Sequence, residues 1–383
     1  MKTIAVIFGG CSTEHDVSVI TALASVIKPL EMTKRYKVVA VYIAKDGSWY
    51  CSERLKDIKL YQSGRLDEFL AREPKVKLDI NGGFGLIRQG KLGGKSLHVD
   101  LVFPAMHGTH GEDGELMGLL EMANVPYVGC GVAASAVAMD KVLAKKVVEA
   151  GGKIKSTPWT WFYDYDLTHS TKNVMAAINK LEYPLFVKPA HLGSSIGISR
   201  IEKESELMNA LEVAAHYDNK ILVEQGVENL VEVTLPIMGN DELVLAQLEQ
   251  PLTKPEDFFD FDTKYMQGGK KGKGTKGAQG YSQIPADLPK ELYKKAQDVG
   301  LGVYLALGCS GIARVDMLVD TKAGNVYFNE VNPFPGGLYA HNWAKQGISN
   351  VELVQKLVEF AEERFAKRGK YETVFSTNYL KQF

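Results

Sequence analysis

The sequence predicts an α/β protein of two or three domains, beginning with a parallel, doubly wound sheet and continuing as α+β. Three observations carry this. Apolar runs of strand length, KTIAVIF and YKVVAVYIA, lie on either side of a helical stretch, the alternation that builds parallel sheets. From Leu230 onward the pattern changes to adjacent strands, LVEVTLPIMG and ELVLAQLEQPL, then GIARVDMLVD and NVYFNEVN around the turn Lys322-Ala323-Gly324. Such direct strand-to-strand succession implies antiparallel pairing. Finally, 383 residues with 45% hydrophobic content suffice for a large core and more than one domain.

In chain order, KTIAVIFGG is a buried strand ending in a glycine turn, followed by a helix through HDVSVITALASVI. YKVVAVYIA and DLVFPAMHG supply the second and third strands. Residues 46–98 are more polar, lack a clear period and read as an elaboration holding a short hairpin or helix. GVAASAVAMDKVLAKKVVEAGG reads as one helix closed by Gly151-Gly152. It leads to a second domain in which YPLFVKPA and SIGISRI are strands flanking a glycine loop, KESELMNALEVAAH a helix and KILVEQGV the next strand. Helices over residues 289–307 and 350–368 would cover the antiparallel sheet. GGKKGKGTKGAQG, residues 268–280, has six glycines and four lysines, which suits a mobile loop whose lysines would meet an anion on closure.

Composition excludes several classes. With 45 Lys+Arg against 46 Asp+Glu, the formal charge is −1, which argues against general nucleic-acid or anionic-membrane binding. Cys11, Cys51, Cys130 and Cys309 form no CxxC pair, so neither a disulfide framework nor a zinc site is indicated. The apolar run Ile4 to Phe8 is too short for a signal-peptide core, and no stretch has transmembrane length. The expectation is a soluble cytoplasmic protein.

Several groups have the chemistry of a site. VKPAHLGSSIG places Lys188 at a strand end before a Gly-Ser-Ser loop. Freed backbone amides, hydroxyls and a lysine suit nucleotide phosphates, although a serine-rich hairpin turn reads the same way. In ARVDMLVD and FNEVN, Arg314 and Asp316 share one strand face, as do Glu330 and Asn332. Two carboxylates so placed repel unless a cation compensates, and Mg²⁺ with bound phosphates does so; a surface ion pair is the alternative. Glu224 and Glu232 are either ligands for adenine and ribose or ordinary exposed acids. Glu14 follows a glycine turn at the carboxyl end of the first strand, where open α/β sheets bind ligands. It is either an ammonium ligand or a favourable charge at a helix start. His107 is a packed loop histidine or an orienting partner for Glu14.

Together these residues resemble the D-alanine–D-alanine ligase family of ATP-grasp enzymes. The resemblance runs in order through FGGCSTEHDVSV, HGTHGEDGELMGLLEMANVPYVGCG, AMDKVLAKKV, VKPAHLGSSIGIS, KYMQGG, ARVDMLVD and NEVNPFPGG. It implies an ATP-grasp architecture: an N-terminal substrate-binding domain (1–130), a central ATP-grasp domain (131–224) and a C-terminal catalytic domain (225–383) with a mobile loop near 264–283. Lys141 and Lys188 would contact ATP phosphates beneath the loop containing Gly193, Ser195 and Gly197. Glu224 and Gln225 would meet adenine and Glu232 the ribose, with Val227 beside the nucleotide and Lys264 on the transferred phosphate. Asp316, Glu330 and Asn332 would hold two Mg²⁺ ions, with Mn²⁺ as a substitute. Glu14 would bind the first D-alanine, hydrogen-bonded to Ser194 and Tyr265 and with His107 nearby. Arg314 and the Gly336 backbone would stabilise the tetrahedral centre. The implied activity is ATP-dependent formation of D-alanyl-D-alanine for peptidoglycan, by a cytoplasmic homodimer acting on small molecules.

Two positions depart from the family pattern. A serine that helps hold the second substrate's carboxylate, and the leucine after it, are His341 and Asn342 here. The expectation is that these two replace the serine as a carboxylate clamp; the alternative is a related ligase that joins D-alanine or another amino acid to a different acceptor. The charged residue often found before the phosphate-loop glycine is replaced by His191-Leu192. A nucleotide-binding regulator without catalysis is a third reading, opposed by the presence of Lys188, Arg314, Asp316, Glu330 and Asn332.

Overall fold

The computed structural model describes residues 1–89, 96–252 and 282–383. β1 (Lys2–Gly9) turns into α1 (His15–Ile20), which continues through a π-helical stretch, Thr21–Ile27, into α2 (Lys28–Met32). β2 (Tyr36–Ile43) and β3 (Trp49–Cys51) follow, then α3 (Ile58–Gln62), α4 (Leu66–Leu70), β4 (Val76–Asp79), β5 (Phe84–Arg88), β6 (Ser96–Val99) and β7 (Leu101–Pro104). The first sheet has the order β3-β2-β1-β7, with β1 parallel to β2 and β7. Ile4 to Phe8 are fully buried, as a strand covered on both faces requires. The polar stretch 46–98 holds both expected kinds of element, two short helices and an antiparallel meander β4-β5-β6.

Next come α5 (Glu115–Met122), α6 (Val132–Met139) and α7 (Lys141–Glu149). The sequence reading of one helix here is corrected: Asp140 leaves the helical region (φ −85°, ψ 99°) and its carboxylate accepts from the N–H groups of Val142 and Leu143. An aspartate that caps a new helix costs less there than in a helix interior. β8 (Trp159–Tyr163), α8 (Asp164–His169), α9 (Thr171–Ile178), β9 (Leu185–Pro189), β10 (Ser199–Ile201), α10 (Leu207–Tyr217) and β11 (Lys220–Gln225) form the second unit, an antiparallel sheet of order β10-β9-β11-β8. The strand expected over SIGISRI is confined to its last three residues, because Ser194, Ser195 and Gly197 all take positive φ.

The remaining elements are β12 (Leu230–Gly239), β13 (Leu243–Leu245), β14 (Gln250–Pro251), β15 (Ser282–Gln283), α11 (Lys290–Ala306), β16 (Gly311–Asp320), β17 (Asn325–Asn332), α12 (Ala340–Lys345) and α13 (Asn350–Arg368). The third sheet, β13-β12-β16-β17, is antiparallel throughout. The expected loop over 268–280 lies outside the described residues.

Apolar packing crosses the expected boundary near residue 130. One continuous core joins Ile4, Val6 and Phe8 of β1 to Met238, Ile312, Trp343 and Leu353 to Ala361 of α13. Arg364 reinforces it, donating to the carbonyl oxygens of Gly129 and Tyr127 and to Ser310 Oγ. The first sheet and the third are thereby held to each other, while the second sheet has its own core.

Asp140 is a critical joint of this fold. Besides capping α7, it lies 2.6 Å from Lys220 Nζ, which is buried. Asp140→Ala is therefore expected to lower stability in urea titration by about 3–5 kcal/mol, since it strands a buried ammonium as well as removing a cap. Asp57→Ala, which removes the exposed cap of α3, should lose only about 1 kcal/mol.

Candidate active site

The pairing of β16 with β17 sets the polar face. Arg314 stands opposite Asn332 and Asp316 opposite Glu330; the register then shifts, so that Phe328 faces Met317 and Asn329 bulges out. Like charges directly across a sheet repel, and cations surround this pair. Arg314 Nε donates to Asp316 at 2.7 Å, and Asn332 Nδ2 donates to the same carboxylate at 3.2 Å. Lys141 Nζ is 3.3 Å from Glu330. Burial pushes the Glu330 carboxyl up, but Lys141, Lys188 and Arg314 outweigh it and hold the group below its ordinary range.

Two lysines approach from the second unit. Lys141 opens α7 and donates to Leu192 O at 2.6 Å. Lys188, near the end of β9, lies 2.6 Å from Glu224 and donates to Asn329 Oδ1 at 3.4 Å. Glu224, the expected adenine ligand, is shared with a second lysine. It is buried, and Lys145 takes its other oxygen at 2.6 Å. Burial raises its carboxyl, yet the two lysines bring it down to about 2. Gln225 Oε1 accepts from the Glu182 N–H at 3.2 Å, while Val227 and Glu232 are half-buried.

Glu14 sits at the start of α1, but its side chain caps nothing there; it accepts from Ser194 Oγ in the glycine loop instead. Burial, then the neighbouring Glu112, raises the Glu14 carboxyl above its usual range. A Cβ at Gly193 would stand 3.1 Å from Glu14 Oε2, and one at Gly108 3.0 Å. Glycines at both places let two loops close on one carboxylate. His107 makes no hydrogen bond to Glu14 among the described residues. Its Nε2 meets Thr21 Oγ1 at 3.0 Å and its ring packs near Phe334. Thr21, unread in the sequence, also accepts from the Gly337 N–H at 3.1 Å.

At the far end Gly336 opens a turn in which Gly337, Leu338 and Tyr339 all have positive φ, and the Arg314 guanidinium lies 5.1 Å from the Tyr339 ring centroid. His341 Nε2 is 2.8 Å from Glu249. Burial raises the Glu249 carboxyl, but the hydrogen bond with His341 draws it below its ordinary value. Asn342 is corrected as a clamp residue. It is fully buried, donating to Gln247 O at 3.0 Å and to Glu249 at 3.1 Å, so it locks the wall behind His341. Lys264 and Tyr265 lie outside the described residues.

His191 now has a place. Its backbone N–H donates to Asp218 at 2.7 Å, and its ring lies 3.0 Å from Asp218 and 3.4 Å from Asp140. It ties the glycine loop to the cap of α7, which carries Lys141. The sequence signal for Glu249, Lys145 and Asp218 was absent, because each acquires its meaning from a partner far along the chain.

The comparisons with known proteins agree along the chain. Residues 3–130 match the family model described as D-ala D-ala ligase N-terminus, and residues 148–359 that described as D-ala D-ala ligase C-terminus. The chain is similar to a D-alanine--D-alanine ligase of Acetivibrio thermocellus, 37% identical with 95% of this chain and 96% of that protein covered. Another, from Chloroherpeton thalassium, is 35% identical over 96% and 98%. Among solved structures, a D-Ala:D-Ser ligase from Enterococcus faecalis matches with TM-score 0.77 and 33% identity over 94% of this chain and 99% of that one. A D-alanine-D-alanine ligase from Coxiella burnetii matches with TM-score 0.77 and 26% identity over 96% of each.

Hydrogen bonds to Asp140 and Asp218 push the His191 imidazole up to about 9, against an ordinary value of ~6.5. The stability it contributes is complete below pH ~6.5 and is lost as pH rises through about 9. Urea titrations of wild type and His191→Gln should therefore differ most below pH ~6.5 and converge above pH ~9, the gap being on the order of 1 kcal/mol after allowance for the partly exposed ring. A gap that persists unchanged at high pH would mean the ring acts by packing alone.

Proposed function

Because the chain belongs to the D-ala D-ala ligase family, we propose that its site residues carry out ATP-dependent formation of D-alanyl-D-alanine through D-alanyl phosphate, for peptidoglycan synthesis. The protein is an ATP-dependent carboxylate–amine ligase acting on small molecules, with ATP as co-substrate. The observation that best supports the residue assignments is the reach of Ser194 to Glu14. It puts a glycine loop suited to phosphates and a carboxylate suited to an amino acid's ammonium in one site. The division at residues 130 and 224 belongs to this reading, as do a cytoplasmic location and a homodimer. No helix among the described residues is long and apolar enough to cross a membrane.

The donor set fits a hard divalent cation: two carboxylates and an amide on facing strands, with the carboxylates directly opposite each other. Asp316, Glu330 and Asn332 would hold two Mg²⁺ ions, which when bound neutralise phosphate charge. The chain's own residues do the rest. Lys141, Lys188 and the amides from Gly193 to Gly197 orient the phosphates, and Glu14 holds the first D-alanine by its ammonium. That substrate's carboxylate oxygen attacks the terminal phosphorus, forming a P–O bond as the bond to ADP breaks. The second D-alanine's amine then attacks the acyl carbon, and phosphate leaves as the peptide bond forms. Arg314 and the Gly336 backbone face the oxyanion between these events, as preorganised donors should.

A second reading is favoured by one observation: the Glu249–His341 pair makes the acceptor end polar. An acceptor other than D-alanine would then be preferred, with His341 alone remaining of the two-residue clamp.

Glu330→Gln and Asp316→Asn are expected to reduce phosphate release by about 10²–10³-fold with the fold intact by thermal melting. Near-normal turnover in either would remove the proposed metal site. Glu14→Gln should raise the KM for the first amino acid by about 10–100-fold and leave that for ATP nearly unchanged, since a charge-assisted contact becomes a neutral one. Equal movement of both constants would make Glu14 structural. Product analysis over D-alanine, D-serine and D-lactate as acceptors decides between the readings: D-alanyl-D-alanine as main product supports the first, and any other main product the second.

A further inference from the structure

The glycine loop holds a conformation that its own residues do not favour. Ser194 and Ser195 have φ of 52° and 59°, left-handed values that persist only where the surroundings over-determine them. The loop is held at its tip, where Ser194 reaches Glu14. Its base is the segment 190–192, which leaves β9 and runs beside the start of α7. Three contacts tie that base down: the Lys141 N–H donates to Ala190 O at 3.1 Å, Lys141 Nζ donates to Leu192 O at 2.6 Å, and His191 Nε2 lies 3.4 Å from Asp140.

His191 joins this base to two elements at once. Besides Asp140 ahead of α7, it meets Asp218, between α10 and β11, through Nδ1 at 3.0 Å and through its backbone N–H at 2.7 Å. A carboxylate at each ring nitrogen calls for a proton on each, so the geometry selects the charged imidazolium. Lys220 of β11 stands behind both acids: its Nζ is 2.6 Å from Asp140, and its N–H donates to Asp218 at 3.1 Å. Two carboxylates are thereby matched by two cations, and a neutral side chain at position 191 would leave them one short. With both nitrogens engaged, the ring has no donor left for a phosphate. We propose that His191 is a positioning residue for the nucleotide: by bridging Asp140 and Asp218 it fixes the base of the glycine loop against α7, and so sets Lys141 and the loop amides where phosphates bind. Lys141 feels the bridge through Leu192 O, and the amides feel it through Gly193. The inference rests on the reading above that these groups meet ATP phosphates. Hydrogen bonds to Asp140, then Asp218, push the imidazole up to about 9. The bridge is therefore complete at neutral pH and is lost as pH rises through that value.

The test uses the full-length protein and its variants His191→Gln, His191→Arg and Gly197→Ala, with thermal melting as a check of folding. Near neutral pH, His191→Gln should raise the ATP KM by about tenfold, the lower end of what a charge-assisted hydrogen bond contributes, while the D-alanine KM moves less than about twofold. His191→Arg, charged at every working pH, should stay within about threefold of the wild-type ATP KM. The ratio of wild-type to His191→Arg ATP KM should then climb towards about tenfold above pH ~9, a comparison in which titration of the lysines common to both proteins cancels. An unchanged ATP KM in His191→Gln, parallel rises in both constants, or a wild-type to arginine ratio that is flat with pH overturns the proposal. If one His191 variant does not fold, the other decides, because the wild type must pass from arginine-like to glutamine-like behaviour across pH ~9. Gly197→Ala separates the two levels. Gly197 has φ +72°, and a Cβ there would stand 2.8 Å from Pro189 Cγ, so this change distorts the loop itself. A raised ATP KM in Gly197→Ala with none in His191→Gln sinks only the role of His191. No rise in either sinks the phosphate assignment of the loop and the proposal with it.

Discussion

Two carboxylates facing each other across a strand pair constrain the rest of this molecule. Asp316 and Glu330 are direct neighbours on β16 and β17, an arrangement that is unfavourable without nearby positive charge. Each source of that charge comes from a different part of the chain. Arg314 is supplied by the same strand, Lys141 by the start of α7 and Lys188 by β9. The site is thus assembled only when the second and third sheets approach, and the approach is favoured by the attraction that relieves the repulsion.

The same logic extends outward. Asp140 must break a helix so that Lys141 can begin a new one, and Lys220 and His191 stabilise that break. Lys188 is steadied by Glu224, which Lys145 also meets. On the opposite side, Ser194 closes on Glu14 and Thr21 receives the Gly337 N–H. Charged groups that would be costly singly become tolerable as alternating chains of opposite sign.

Much of the fold was legible because the physics is local. β1, β2, β11, β12, β16 and β17 are apolar or alternating runs whose period survives any context. The break at Asp140 was missed because apolar periodicity continues through AVAMDKVLAKK, while the deciding event is two hydrogen bonds from one side chain. β8 was missed because WTWFY is half-exposed at a sheet edge, which weakens the burial signal that periodicity relies on.

The sequence by itself determined the chemical inventory: a strand-borne Arg-x-Asp, a second strand with Glu-x-Asn, a Lys before a Gly-Ser-Ser loop, and an acid after the first glycine turn. Residue type and period are properties of a few neighbouring positions, so a single chain reveals them. Tertiary structure alone decided what each charge faces. Glu224 turns to two lysines, Glu14 to Ser194 and not to its own helix, and Asn342 into the wall while His341 pairs with Glu249. Those outcomes depend on partners 36 to 180 positions away, because Coulomb attraction and desolvation act through space and leave no periodic trace along the chain.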